Sequence, residues 1–336
     1  TSERKLEQEL KFNIRYRYFC DLDIYDPIPD HATFSVLRDR LGTEIFYRIF
    51  ERIVSYAAEL GFVRPKHVSI DSTSVIADCA RPKRGTPKNE VADPDATWGV
   101  QGTRTTHFGY KAHHLVDSHT DFILAVDTTT AAIPDIVSAK AMVPALIKRG
   151  IRPDYLAADK AYSDSAFRYE LKEKHKILPL IPLRGGYTPE GCFAKQKFSF
   201  DGRGRLICPA GEALKLMGSD GKRNLIHYRG TKCPDCGLKG ACTEGKYRSV
   251  AISAFDPEGK EAAFTRTDTF KELYGLRGSV ERVNSNGKRN HGLGRARYRR
   301  LPKVSFQVIM TAIAIDLKKM ANWFTSGPPE PVKLCS

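Results

Sequence analysis

The chain has 336 residues, 41% of them hydrophobic, and its 54 lysines and arginines outnumber 39 acidic residues, giving a net charge of +15. This length and apolar content predict a soluble protein with two domains, or with one domain and an insertion. The basic charge favours a polyanionic partner such as a nucleic acid over a merely basic soluble protein. The longest apolar stretch, 304–317, is short and interrupted by polar residues, and no signal peptide is visible. We therefore expect no membrane partner and a cytoplasmic location.

The first 62 residues have a helical pattern. A charged stretch at 3–10 lacks helix breakers, a Pro-rich turn at 26–29 precedes a helix that starts at Asp30, and 44–61 is amphipathic. We predict an N-terminal helical domain over residues 1–64, with a role in DNA binding or dimerisation.

Residues 65–184 have the pattern of a mixed sheet. Helical periodicity over 136–148 and 165–175 alternates with the later strands, and 79–107 is predicted to be a polar loop. Alternation after an initial hairpin predicts a five-stranded mixed sheet flanked by helices. The predicted strands are 68–76, 109–116, 122–130, 155–158 and 177–182.

A Gly-rich, cysteine-bearing segment interrupts this rhythm, and we predict an insertion over 185–265. Cys233 and Cys236 form a CxxC motif, with Cys208 before it and Cys242 after it. Four thiolates at this spacing predict a structural Zn²⁺ site, with His227 or Cys192 as replacement ligands. Reduced unligated thiols and disulfides remain the alternatives. Helical patterns return at 268–290 and 302–323, predicting that the core resumes over 266–325, before an extended or disordered tail at 326–336.

Three acidic residues are candidates for chemistry on phosphodiesters. Asp71 lies within the first strand, where a charged group is costly unless it is paired or binds a metal. Asp159 ends the fourth strand, where open α/β sheets place ligands. Each alone is equally well explained as a hydrogen-bonded cap or turn residue. Glu281 is predicted to share one helical face with three further side chains, Tyr274, Arg277 and Lys288. The alternative for that face is a solvated surface with an Arg277–Glu281 ion pair.

The pattern Tyr274-x2-Arg277-x3-Glu281-x6-Lys288 resembles the YREK signature of bacterial insertion-sequence transposases of the DDE superfamily. The blocks that begin at Asp71 and Asp159 resemble the blocks of that family's two aspartates. Segments 29–35, 93–98 and 109–113 resemble its other motifs, and all occur in the family's order. The resemblance implies an RNase H-like core, with the cysteine-bearing insertion before the last catalytic helix.

The resemblance also implies a function. Asp71, Asp159 and Glu281 would be catalytic and would bind two Mg²⁺ or Mn²⁺ ions that serve cleavage at transposon ends and strand transfer into target DNA. The expected partners are double-stranded DNA, as terminal inverted repeats and target, and a second copy of the chain in a synaptic complex. The expected location is the bacterial cytoplasm, in association with the nucleoid. The predicted DNA-binding residues are Tyr274, Arg277, Lys288, Arg289, Arg295, Arg297, Arg299, Arg300, Lys111, Arg81, Lys83 and Arg84.

Two other functions remain open. The N-terminal helical domain is short at its front relative to the family, which suggests a domesticated or defective transposase that only binds DNA. An RNase H-like nuclease without joining activity is the third hypothesis.

Overall fold

The structure, a computed structural model, describes residues 3–101, 105–184, 191–221, 224–256 and 260–327. The predicted tail after Gly327 lies outside these residues. Within them, no helix is long and apolar enough to cross a membrane.

Three helices precede the sheet: α1 (Glu3–Phe12), α2 (Ile14–Phe19) and α3 (His31–Glu59). The Asp30 side chain caps α3 by accepting a hydrogen bond from the backbone N–H of Ala32 at 2.8 Å, as the sequence predicts for that helix start. The two predicted helices of 30–61 form one element that is kinked at Gly42, whose φ of 69° lies in the left-handed region.

The central sheet contains β1 (His67–Ile76), β2 (Thr97–Gln101), β3 (Thr105–Asp117), β4 (Ile123–Thr130), β5 (Tyr155–Ala157) and β6 (Leu178–Leu180). Five of these strands lie in the order β4-β3-β1-β5-β6, antiparallel up to β1 and parallel after it. This arrangement confirms the predicted RNase H-like mixed sheet.

The prediction of a continuous polar loop over 79–107 is wrong at its end. β2 pairs antiparallel with the start of β3, which begins four residues before the predicted strand. Trp98 of β2 packs edge-on against Phe108 of β3, with ring centroids 5.7 Å apart. This cross-strand pair stabilises a hairpin. The sequence does not predict it, because Gly, Pro and Lys residues are frequent in the surrounding segment and are typical of loops.

Helices cover the sheet: α4 (Asp135–Lys148), α5 (Ser165–Glu173), α6 (Lys260–Phe264), α7 (Asp268–Gly275), α8 (Gly278–His291) and α9 (Leu301–Ser326). α8 lies against β1 and β3, while α9 packs against β4 and α3. The Phe46 ring of α3 meets the Phe306 ring of α9 edge-on at 4.7 Å. The N-terminal helices therefore share the core of the sheet.

Residues 191–256 form short strands of their own: β7 (Ser199–Phe200), β8 (Leu206–Ile207), β9 (Lys215–Asp220), β10 (Leu225–Arg229) and β11 (Ser249–Ser253). β7 pairs with β8, and β9, β10 and β11 make a separate antiparallel sheet. A small buried cluster joins them: Phe198, Leu206, Leu214, Val250 and Ile252.

Candidate active site

Asp71 lies in the middle of β1, in the central part of the sheet. Its side chain is 20% exposed, and its Oδ1 accepts a hydrogen bond from the backbone N–H of Ser72 at 2.8 Å. Burial is the main cause that raises the pKa of Asp71 to about 6, and the nearby Asp159 carboxylate adds to that rise. The Arg277 guanidinium and the Ser72 N–H oppose this rise, because positive charge and hydrogen-bond donors stabilise the charged form of a buried acid.

Asp159 follows β5, the parallel neighbour of β1. The last pair of the two strands is Ser69 with Ala157, two residues before each aspartate, and the Asp159 carboxylate is close enough to raise the pKa of Asp71. Neighbouring strands are about 4.8 Å apart. Asp159 also caps the following turn, where its Oδ1 accepts from the N–H of Ala161 at 2.7 Å. The cap that the sequence analysis gave as the alternative is therefore present at Asp159.

Arg277 contacts two of the three carboxylates, those of Asp71 and Glu281. Its Nη2 lies 3.3 Å from Asp71 Oδ2, and its Nη1 lies 2.5 Å from Glu281 Oε1. The intrahelical Arg277–Glu281 pair expected for a solvated face therefore exists, but the same guanidinium also reaches the sheet. The Glu281 side chain is 59% exposed, so it lies at the open side of this cluster.

The prediction that Tyr274 lies on the same helix as Arg277, Glu281 and Lys288 is wrong, because the helix is interrupted. α7 ends at Gly275 and α8 begins at Gly278, with Arg277 as the residue that precedes α8. Tyr274 is therefore on a different helix from Glu281, and its ring stacks on Phe270 at 5.5 Å. Two glycines near the break lower the helix propensity of this segment enough for the chain to turn there.

Two lysines of the predicted site lie on different elements, Lys288 on α8 and Lys111 on β3. Lys288 Nζ is 3.5 Å from Ser74 Oγ, three residues beyond Asp71 on β1. Lys111 was expected to reach the active site. Its Nζ instead binds Asp135 at 2.8 Å and the carbonyl oxygen of Ile133 at 2.8 Å. Lys288 is thus the better placed of the two to meet a phosphate.

The donor set suits a hard divalent cation. Asp71, Asp159 and Glu281 offer only carboxylate oxygens, the ligands that Mg²⁺ prefers. The ligand atoms of the three residues do not all lie within 4.8 Å of one another. Among the described residues, the one group that meets this criterion is Glu7, Asp30 and His31. Those side chains hydrogen-bond to each other and link α1 to the start of α3.

The other predicted DNA-binding residues form exposed parts of two loops. Arg81 and Arg84 lie over the Trp98 ring, at 4.5 and 5.3 Å from its centre, and Arg81 donates to the carbonyl oxygen of Thr106 at 2.7 Å. Lys83 is exposed beside them. The second group lies in the last turn of α8 and in the loop before α9; all five of its residues are exposed: Arg289, Arg295, Arg297, Arg299 and Arg300.

Two residues of the second group hydrogen-bond to aspartates between β1 and β2. Arg299 Nε donates to the carbonyl oxygen of Asp78 at 3.1 Å, and the backbone N–H of Arg300 donates to Asp93 at 3.0 Å. The first bond engages the Arg299 side chain and the second fixes the backbone at Arg300, while both residues remain exposed.

Sequence reasoning missed three residues that support the site. Asn284 of α8 accepts a hydrogen bond from buried His114, which pairs with Asp71 across β1 and β3. Arg184 donates to the carbonyl oxygens of Lys160 and Ala161, at 2.9 and 2.7 Å, and so fixes the turn after Asp159. Nothing in their sequence spacing indicates these contacts, because each joins segments far apart in the chain.

Comparisons with known proteins give two family matches. The family model described as "Transposase DDE domain" matches residues 64–317, and one described as "Transposase domain (DUF772)" matches residues 1–40. No curated protein matches the chain.

Among solved structures, a cryo-EM structure of a piggyBac transposase synaptic complex with hairpin DNA is similar at a TM-score of 0.35 and 11% identity. The match covers 88% of this chain and 56% of that one.

Proposed function

This chain belongs to the transposase DDE domain family, and from that premise we propose that it cleaves DNA at transposon ends and joins the ends to target DNA. Asp71, Asp159 and Glu281 are the acidic residues of the proposed active site. The observation that carries the proposal is the Arg277 guanidinium, which contacts both Asp71 and Glu281 although 206 residues separate Asp71 from Arg277. It brings a strand from the first half of the chain and a late helix to one place.

The residues have distinct roles in this proposal. Asp71 lies on β1, Asp159 follows the neighbouring strand β5, and Glu281 lies on α8 with an exposed side chain. Together they would hold two Mg²⁺ or Mn²⁺ ions, which in such sites activate the attacking oxygen and stabilise the leaving oxygen. When DNA is bound, Arg277 and Lys288 orient the phosphate, and Tyr274 assists from the end of α7.

The exposed arginines on either side of the site support a DNA partner. Backbone phosphates need cations that follow the strand, and such contacts fix position without reading sequence. The chain carries these cations before β2 and after α8, on segments hydrogen-bonded to the sheet or its loops. The proposed partners are terminal inverted repeats, target DNA and a second copy of the chain, since two ends are cut and joined together.

Asp71→Asn tests the catalytic assignment. The purified full chain is given DNA duplexes from the sequence that flanks its gene, with Mg²⁺ and a supercoiled target plasmid. The wild type is expected to nick the duplex and to join it to the plasmid. Asp71→Asn should bind the duplex as tightly as the wild type and lose both reactions, because the amide is a poor ligand for a divalent cation.

Asp154→Asn is the matched control, since Asp154 is an exposed aspartate at the other end of β5. It should nick and join like the wild type. Undiminished Mg²⁺-dependent nicking by Asp71→Asn would refute the assignment. Nicking without joining by the wild type would identify a nuclease, and binding with neither reaction would identify a DNA-binding protein.

A further inference from the structure

Four cysteines surround one cavity in the segment between β8 and β11. The cavity has a volume of about 330 Å³, and its walls include Cys208, Cys233, Cys236 and Cys242. All seven cysteines among the described residues are free thiols. Cys192 and His227, the two alternative ligands, do not line the cavity, and His227 is exposed on β10.

The thiols come from two backbone turns that face each other. Cys208 starts the turn after β8, where its carbonyl oxygen accepts from the N–H of Gly211 at 2.8 Å. Cys233 and Cys236 lie on the second turn, where the Cys236 N–H donates to the Cys233 carbonyl oxygen at 3.3 Å. The short helical turn that follows brings Cys242 to the same cavity. Two such turns are the usual way in which small modules present four thiolates to a metal.

One thiol sulfur already accepts a backbone hydrogen bond. The N–H of Arg248 points to the Cys233 sulfur at 3.5 Å. Backbone donors of this kind stabilise a thiolate and orient it as a ligand. The Arg248 guanidinium also donates to the carbonyl oxygens of Cys242 and Phe193, at 3.2 and 3.0 Å. Its positive charge therefore stays beside the cavity, where it offsets the net negative charge of a metal bound by four thiolates.

The apolar core of this segment is small. Its buried residues are five in number among those described, and Cys208 and Cys242 pack against them as half-buried neighbours. Modules with so few buried side chains usually depend on disulfides or a metal for stability. The described cysteines form no disulfide, so their thiols are free to bind a metal.

We propose that Cys208, Cys233, Cys236 and Cys242 bind one structural Zn²⁺ that holds the β7–β8 hairpin to the sheet of β9, β10 and β11. No three of the four sulfur atoms lie within 4.8 Å of one another, so the side chains turn into the cavity on binding. Zn–S bonds of about 2.3 Å in a tetrahedron are within reach of such rotations. The ion is separate from the carboxylate site and takes no part in the proposed reaction.

The test is the zinc content of the purified full chain, measured by mass spectrometry after exhaustive dialysis. The wild type is expected to retain about one Zn²⁺ per chain. Cys233→Ser should lose it, and Cys192→Ser, a half-buried cysteine of the same segment outside the cavity, should keep it. Asp71→Asn should also keep it, which separates this site from the catalytic one. Equal zinc in Cys233→Ser and the wild type, or loss in Cys192→Ser, overturns the proposal.

A second measurement holds even where Cys233→Ser fails to fold. The wild-type chain is stripped of metal with a chelator, kept reduced and titrated with Co²⁺. Four thiolates in a tetrahedron give intense visible bands and sulfur-to-metal charge-transfer absorption that saturate at one ion per chain. A spectrum without these bands would show unligated thiols and overturn the proposal, whatever the outcome of the cleavage assays.

Discussion

Asn284 provides a direct test of how α8 is held against the sheet. Its Oδ1 accepts a hydrogen bond from Nδ1 of His114 at 2.7 Å, and the two side chains are 7% and 1% exposed. Burial lowers the pKa of His114 to about 4, so the imidazole is neutral near pH 7 and donates one N–H. Asn284→Ala removes the acceptor and leaves that buried donor without its partner.

The expected loss of stability follows from two opposing effects. A buried donor without an acceptor costs about 1–3 kcal/mol. The better helix propensity of alanine returns roughly 0.5 kcal/mol. Asn286→Ala on the same helix gains the same propensity but removes only an exposed bond from Asn290. The difference between the two variants therefore isolates the buried bond, at about 1–3 kcal/mol in free energy of unfolding.

Urea unfolding of both variants at pH 7, followed by circular dichroism, measures this difference. Cleavage is measured in parallel, because Glu281 lies three residues before Asn284 on α8 and should lose its position with the helix. If Asn284→Ala is as stable as Asn286→Ala within about 0.5 kcal/mol, the bond does not anchor α8 and the reasoning is refuted.

Two further predictions concern the sheet. Burial lowers the pKa of His67 from 6.5 to about 4. Between pH 4 and pH 6.5 the His67 side chain is protonated in the unfolded chain but neutral in the folded chain. The contribution of His67 to the free energy of unfolding is therefore most favourable above pH 6.5. It declines by about 3 kcal/mol as the pH falls to 4. His67→Gln should show a shallower decline in urea unfolding, and an unchanged slope would contradict the assignment. Gly109→Ala should cost about 3 kcal/mol, because at φ 153° its Cβ would lie 2.2 Å from the Val75 carbonyl oxygen. Gly275→Ala has no such contact and serves as the control in thermal melts.

The sequence was sufficient for the five main strands because their periodicity and turns are local features. The hairpin at 117–121 and the helix over 136–148 illustrate this, since both are marked by residues within the segment itself. β2 was missed because its stability comes from pairing with β3 rather than from its own composition.

The candidate site was predictable only to the level of residue identity. The spacing of Arg277 and Glu281 indicates their pairing, and the structure has it at 2.5 Å. The contact from Arg277 to Asp71 depends on how α8 lies across β1, and the His114–Asn284 bond depends on the same packing. Such contacts are set by tertiary structure, and no local pattern records them.

The early helix α3 packs against α9, which follows it by more than 240 residues. Thr43 donates to the carbonyl oxygen of Pro302 at 3.0 Å, and the end of β1 hydrogen-bonds to Gly294 and Ala296. A nascent chain that has already exposed Asp71 and Asp159 therefore lacks the segments that complete its fold. Chains that terminate before α9 are therefore expected to stay incompletely folded, although they already carry both aspartates.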